Sequence, residues 1–290
     1  MIKDKLAITP HRMYAMLSAV AMLEGQSRDT VIVLAQPPEI VDNKDTAVLV
    51  YRYLLRCGLI IADGSPQQQK TYLSDSGRQV KDWDSFRSHM QDLLLGKTEE
   101  SSDNFLLNQF TSWYAVQDDQ VMVFSKLDLE ERFHKDLYPV LSERVLAEEP
   151  GISAWRTWAE FLGFGWRMKF SQRDEMRIVP DATLRLISRL PDLLPAANDG
   201  VSFNAFMNHL SRRCPELDGG ILFEQCWQAS RGNEVRGNRL SLMLSTALRT
   251  LHNLREIELV NRLDAAETWT LFPAQSHIGR VSHIRRKAAA

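Results

Sequence analysis

Apolar positions in the first sixty residues recur at helical spacing. Thr9 and Pro10 favour a helix start, because threonine can accept hydrogen bonds from the first free amides and proline suits the first helical position. The spacing predicts three helices, from Pro10 to about residue 23, over 29–35 and over 44–56.

A change from helical to strand spacing follows the third helix. Gly58 supplies the helix stop, and the branched residues after it predict a strand. Polar residues over 63–69 form the turn, residues 70–73 the return strand, and Ser74 starts another helix. Three helices followed by a hairpin predict a winged helix-turn-helix.

The same residues carry a family resemblance. Two stretches resemble the end of bacterial winged-helix regulators of the MarR and PadR kind. They are Leu54-Leu55-Arg56-Cys57-Gly58-Leu59-Ile60 and, after it, Tyr72-Leu73-Ser74-Asp75-Ser76-Gly77-Arg78. The resemblance covers about residues 10–80 and implies a fold more than a ligand.

Two further segments repeat the order of a helix and two short strands. In the second copy these elements are 151–164, 166–170 and 176–179, and in the third they are 238–254, 257–260 and 268–272. The separation along the chain between the last leucine of the helix and the residue that closes the wing is 19, 18 and 19 residues in the three copies. This agreement predicts repeated winged-helix modules.

The fold class predicted is mainly α with short β-hairpin wings, in which the modules are joined by a helical connector. The predicted segments are winged helix 1 (1–80), an acidic helical connector (81–149), winged helix 2 (150–195), winged helix 3 (200–275) and a basic tail (276–290).

Charge is distributed unevenly along the chain. The net charge is -2, and four windows, 1–80, 81–150, 151–230 and 231–290, carry +1, -8, 0 and +5. Affinity for nucleic acid therefore requires a local basic surface, and the last quarter of the chain is the basic one. The acidic window predicts a solvated or partner-binding connector.

The sequence holds no catalytic motif of the phosphate-loop, nucleophile-elbow or zinc-protease kind, so we expect no enzyme activity, no catalytic residues and no cofactor. Cys57, Cys214 and Cys226 are widely spaced, and together with His209 they match no zinc-finger spacing. We therefore expect no metal site and a cytoplasmic protein. No stretch is long and apolar enough for a membrane span, so no membrane partner is expected.

Candidate DNA contacts lie mainly in the third copy and the tail, where arginine can neutralise phosphates or read guanine. These residues are Arg236, Asn238, Arg239, Ser241, Ser245, Arg249, Arg285, Arg286 and Lys287. The third helix of the first copy and the wing of the second add Lys44, Arg52, Arg167, Lys169 and Arg173. Solvated basic residues without a ligand are the alternative interpretation.

The main functional hypothesis is a DNA-binding accessory subunit that contacts duplex DNA through its backbone and works with partner protein subunits. The layout is similar to that of the winged-helix accessory proteins of bacterial DNA-modification and phage-defence clusters, such as the DpdG type, and this similarity concerns arrangement alone. A protein-protein scaffold and a stand-alone transcription regulator are the alternatives. Whether the chain forms a homo-oligomer is left open.

Overall fold

A computed structural model describes residues 7–39, 45–65, 69–139, 149–169, 175–194, 200–232, 234–273 and 276–287. The described chain is mainly helical with small antiparallel strand pairs, which confirms the predicted fold class. It divides into two compact units, residues 3–93 and residues 94–290. This division differs from the five predicted segments, since part of the predicted connector belongs to each unit.

The first unit follows the sequence prediction closely. Its elements are α1 (Pro10–Met22), α2 (Arg28–Ala35), α3 (Asp45–Arg56), β1 (Ile60–Asp63), β2 (Lys70–Leu73), α4 (Asp75–Gln79) and α5 (Trp83–Leu94). Thr9, Ser27 and Ser74 cap α1, α2 and α4 by accepting hydrogen bonds from main-chain amides. The helix starts predicted at Thr9 and Ser74 are therefore confirmed, and the cap predicted for α3 at Asp42 or Asn43 lies outside the described residues.

The hairpin of the first unit is fixed by its pairing and its packing. β1 pairs antiparallel with β2, with Ile60 opposite Leu73. The hydroxyl groups of Tyr51 on α3 and Thr71 on β2 form a buried hydrogen bond of 2.7 Å. This bond joins helix and hairpin inside an otherwise apolar core.

The second unit begins with the helices of the predicted connector. Its first elements are α6 (Phe105–Val116), a 3-10 helix (Asp118–Met122), α7 (Lys126–Leu137), α8 (Glu149–Leu162), β3 (Gly165–Met168), β4 (Arg177–Pro180), α9 (Thr183–Ile187) and α10 (Leu190–Leu193). β3 pairs antiparallel with β4, with Arg167 opposite Ile178. The second predicted hairpin therefore forms within two residues of its expected position.

Helix α6 is a core helix and does not act as a solvated connector. Ten of its twelve residues are buried, and α12 (Ile221–Arg231) packs along it. The hydroxyl of Ser112 donates to the carbonyl of Glu216, which precedes α12 in the chain, at 3.1 Å. The net acidic charge of residues 81–149 therefore does not make the whole segment a solvated connector, because α6 lies in the core.

The C-terminal part of the second unit completes this core. Its further elements are β5 (Val201–Ser202), α11 (Phe203–Arg213), α12, α13 (Leu242–Asn253), β6 (Ile257–Val260), β7 (Trp269–Thr270), β8 (Arg280–Val281) and β9 (His283–Arg286). β5, β9 and β6 form one three-stranded sheet in that order, and β7 pairs with β8.

This sheet corrects two expectations for the third copy. The partner of β6 is β9, which lies in the predicted basic tail, and the predicted return strand 268–272 contributes β7 to a separate pair. The reason is apolar packing, since Ile284 of β9 is buried opposite Leu259 of β6. Residues 280–281 and 283–286 of the predicted tail are therefore paired strands and not a free arm.

None of the helices in the described ranges combines the length and the apolar character needed to cross a membrane.

Candidate nucleic-acid interface

Helix α13, predicted to be the DNA-reading helix of the third copy, is a core helix. Six of its twelve residues are buried. Ser245 is fully buried, and its hydroxyl accepts a hydrogen bond of 2.8 Å from the amide of Phe272. Ser241 is the buried N-cap, and its hydroxyl donates to the carboxylate of Asp218 at 2.6 Å. Neither serine therefore remains on a surface that DNA can reach.

The two arginines before α13 bind acidic side chains of the same unit. The guanidinium of Arg236 donates to Asp218 at 2.5 Å and to Glu224 at 2.6 Å, and the side chain is only 10% exposed. It also lies over the ring of Phe223, 4.5 Å from the ring centroid. Arg239 pairs with Asp118 at 2.8 Å. The structure thus gives both arginines internal partners.

Arg249 and Asn238 also bind the main chain. Arg249 donates hydrogen bonds to the carbonyl oxygens of Phe272, Pro273 and Ile278 and so fixes the segment that follows β7. Asn238 is exposed, but its amide donates to the carbonyl of Thr268 at 3.3 Å. The predicted recognition surface of the third copy is therefore largely occupied by contacts inside the fold.

Two buried carboxylates organise the start of α13. Asp118 accepts from the amide of Leu242 at 2.8 Å, and Asp218 accepts from the amide of Ser241 at 2.7 Å. Negative charge is favourable at a helix N-terminus, where amides are free. Burial raises the pKa of Asp118 to about 6, although the Leu242 hydrogen bond and the charge of Arg239 act in the opposite direction.

The basic residues of β9 and its end are accessible. Arg285 lies opposite Glu258 in the sheet and pairs with it at 2.5 Å, which lowers the pKa of the Glu258 carboxyl. Arg286 and Lys287 are exposed, and their side chains have no ion-pair partner among the described residues. These two remain available for a ligand, carried by a strand rather than by a tail.

Lys44 and Arg52 are the contacts predicted for the first unit. Arg52 is exposed on α3, on the same side as the exposed Leu49. Lys44 and, in the second unit, Arg173 lie outside the described residues. Of the two contacts predicted for the first copy, the structure therefore describes Arg52, which shares its surface with the apolar side chain of Leu49.

The hairpin β3–β4 and two neighbouring helices bring four cations to one groove. Arg167 and Lys169 line a groove of about 320 Å³ that also receives Lys126 from the start of α7 and Arg156 from α8. The rest of its lining consists of Ser153, Thr157, Glu175 and Met176. Four cations and one carboxylate thus meet in one concave surface, which we name the β3 groove.

The cations of the β3 groove are held in different ways. Arg156 is only 6% exposed and contacts Glu175 at 3.4 Å; burial lowers the pKa of this arginine, but its guanidinium remains charged. Arg167 pairs with Glu160 at 2.5 Å, and Glu160 also accepts from the Arg167 amide. Lys169 is exposed and has no ion-pair partner among the described residues.

The sequence predicted Arg167 and Lys169 but not Lys126 or Arg156. Arg156 carries a detectable signal, because it stands beside Trp155 on a helix whose neighbouring positions are apolar, and a buried arginine needs a partner. Lys126 carries none, since it reaches the groove from a helix about forty positions earlier in the chain than the hairpin. The tertiary fold brings these residues together.

Comparison with curated proteins and with solved structures gives no significant match. A family model described as DpdG-like matches residues 1–265, which is most of the chain of 290 residues. The protein belongs to the DpdG-like family.

Proposed function

We propose that this protein is a non-enzymatic, DNA-binding accessory subunit of a bacterial DNA-modification or defence complex in the cytoplasm. Membership of the DpdG-like family supports the association with DNA modification and defence. DNA binding and the accessory role are our own inferences from the accessible cations of the second unit. The partners are duplex DNA, contacted through its backbone, and other protein subunits.

The β3 groove carries the proposal. Phosphate contacts provide most of the sequence-independent affinity of DNA-binding proteins, and they come from arginine, lysine and hydroxyl groups. The groove combines Lys126, Arg156, Arg167 and Lys169 with Ser153 and Thr157. A net positive concave surface of this kind suits a phosphodiester backbone, whereas the net charge of the whole chain, -2, does not.

We further infer that three winged-helix modules underlie this architecture. α3 with β1–β2, α8 with β3–β4, and α13 with β6 and β9 each place a helix before two antiparallel strands. In winged helices the hairpin often approaches the DNA backbone. In this proposal the wing of the second module holds the phosphates, and α13 of the third module is a structural helix.

Titration of the full chain with arbitrary duplex DNA at several salt concentrations tests the proposal. We expect retardation at low salt that weakens steeply as salt rises, because phosphate binding releases counterions. The variant Lys126→Ala with Lys169→Ala should reduce the slope of log K against log salt by about two. The matched control, Arg212→Ala with Arg213→Ala, removes the same charge from α11 and should keep the slope. Absence of binding by the folded protein at low salt would refute DNA binding.

A scaffold function has a separate observation in its favour. Val123, after the 3-10 helix, and Leu127, in the first turn of α7, are 71% and 62% exposed. Exposed apolar side chains are typical of protein contacts. The alternative function is therefore docking of a partner subunit on this surface, and in that case substitution of the groove cations would leave complex assembly unchanged while Val123→Ser with Leu127→Ser would weaken it.

A further inference from the structure

Strand β3 presents different chemistry on its two faces. Trp166 and Met168 point to one face and Arg167 to the other, because side chains alternate along a strand. Lys169, the residue after β3, lines the groove together with Arg167. The register continues this division across the hairpin, with Trp166 opposite Val179 and Met168 opposite Arg177. Neither paired strand, Gly165–Met168 nor Arg177–Pro180, contains an acidic residue.

Trp166 differs from the other tryptophans of the second unit. Four of them donate their indole N–H to a partner in the fold: Trp113, Trp155, Trp227 and Trp269. Trp158 is buried. Trp166 is 47% exposed, and its indole N–H has no hydrogen-bond partner among the described residues. A large aromatic face is thus kept in contact with solvent beside a cationic groove.

We propose that this face of the hairpin binds an unpaired nucleobase stacked on the Trp166 indole, while phosphates of the same strand lie in the β3 groove. Stacking platforms next to a positive groove are the usual means of holding single-stranded nucleic acid, because every base has a π-face. The inference rests on the proposed function and adds that DNA with an unpaired base gains a stacking contact that duplex DNA, bound through its phosphates, lacks.

The topology permits this arrangement. β3 belongs to a two-stranded sheet, so its second edge is not paired with any strand in the described part of the chain. A nucleotide chain that passes this edge can keep its phosphates on the side of Arg167 and Lys169 and turn a base towards Trp166. A fully paired duplex cannot do so without opening a base pair, which has a cost in free energy. Charge complementarity with the groove favours nucleic acid over an apolar protein partner.

The test compares a labelled oligonucleotide as a single strand and as a duplex, with binding to the full chain followed by anisotropy. We expect the single strand to bind more tightly than the duplex. Trp166→Ala should lose about tenfold in affinity for the single strand and little for the duplex, whereas Trp166→Phe should keep most of the affinity because it retains a stacking ring. Leu263→Ala, at a fully exposed residue of the same unit, is the matched control and should have no effect.

The outcomes separate this inference from the proposed function. If duplex binding depends on salt but Trp166→Ala binds the single strand with wild-type affinity, the stacking inference is overturned and the proposed function stands. Equal losses in Trp166→Phe and Trp166→Ala, with native circular dichroism, also overturn it, because an aromatic ring then gives no advantage. If neither form of DNA binds the folded protein, the proposed function itself fails.

Discussion

Arg239 donates a hydrogen bond of 2.8 Å to the carboxylate of Asp118, a residue that precedes it by 121 positions in the chain. Asp118 is buried, and its other oxygen accepts from the first amide of α13. Arg239 therefore balances a carboxylate that holds the start of a core helix. Its basic character serves the fold, although the sequence places it among the candidate DNA contacts.

Removal of Arg239 should destabilise the protein without weakening DNA binding. Arg239→Ala leaves the buried Asp118 carboxylate without its closest counter-charge, and because Arg239 is 41% exposed we expect a modest loss of about 1–2 kcal/mol in the free energy of unfolding. Urea denaturation measures this loss. Arg255→Ala, at an exposed arginine near the end of α13, is the control and should cost little. A normal unfolding curve combined with a flatter salt dependence of DNA binding would contradict the structural role.

The raised pKa of Asp118 predicts a pH dependence of stability. The carboxyl has a pKa of about 6 in the folded protein against an ordinary value of 3.8. The folded state therefore retains a proton that the unfolded state releases, and the contribution of this group to stability falls as pH rises from about 4 to about 6. The expected fall is about 2–3 kcal/mol.

Comparison with Asp118→Asn isolates this effect, because the amide does not titrate. The difference in unfolding free energy, wild type minus variant, should decrease between pH 4 and pH 7 in urea denaturation. An increase of this difference with pH would mean that pairing with Arg239 outweighs burial, and the predicted sign would then be wrong.

Neutralising Glu160 should strengthen DNA binding. Glu160 pairs with Arg167 at the β3 groove, so Glu160→Gln removes an acidic charge and frees the guanidinium for phosphate. We expect the affinity for duplex DNA to rise about twofold to fivefold at low salt, with a smaller gain at high salt. Glu256→Gln, an exposed acid elsewhere in the unit, controls for net charge. Weaker binding by Glu160→Gln would show that the pair is needed to orient Arg167.

Local signals were sufficient to predict two of the hairpins. Gly58 and Gly163 stop their helices with positive φ angles of 67° and 86°, and both are followed by strands where the sequence predicts them. The third hairpin differs because the pairing of β6 depends on a strand 23 positions further on, beyond a second strand pair. The alternation of apolar and polar residues in β9 is short, and basic residues surround it. The composition of this segment therefore predicted a basic tail and not a strand.

The site was harder to predict than the fold. An arginine in the sequence does not show whether its partner is a phosphate or a distant carboxylate, and Asp118 and Asp218 reach Arg239 and Arg236 only through the tertiary structure. Arg167 and Lys169 were predicted because basic residues lie along the predicted wing of the second copy, where they can contact phosphates. The other cations of the groove come from α7 and α8, and no sequence spacing connects them.

The salt dependence of DNA binding by Lys169→Ala tests the central claim most directly. Lys169 is exposed, lines the β3 groove and has no ion-pair partner among the described residues, so its replacement should leave the fold intact. The account predicts that the slope of log K against log salt for duplex DNA becomes less steep than that of the wild type by about one. A slope identical to that of the wild type, measured on the folded variant, would contradict it.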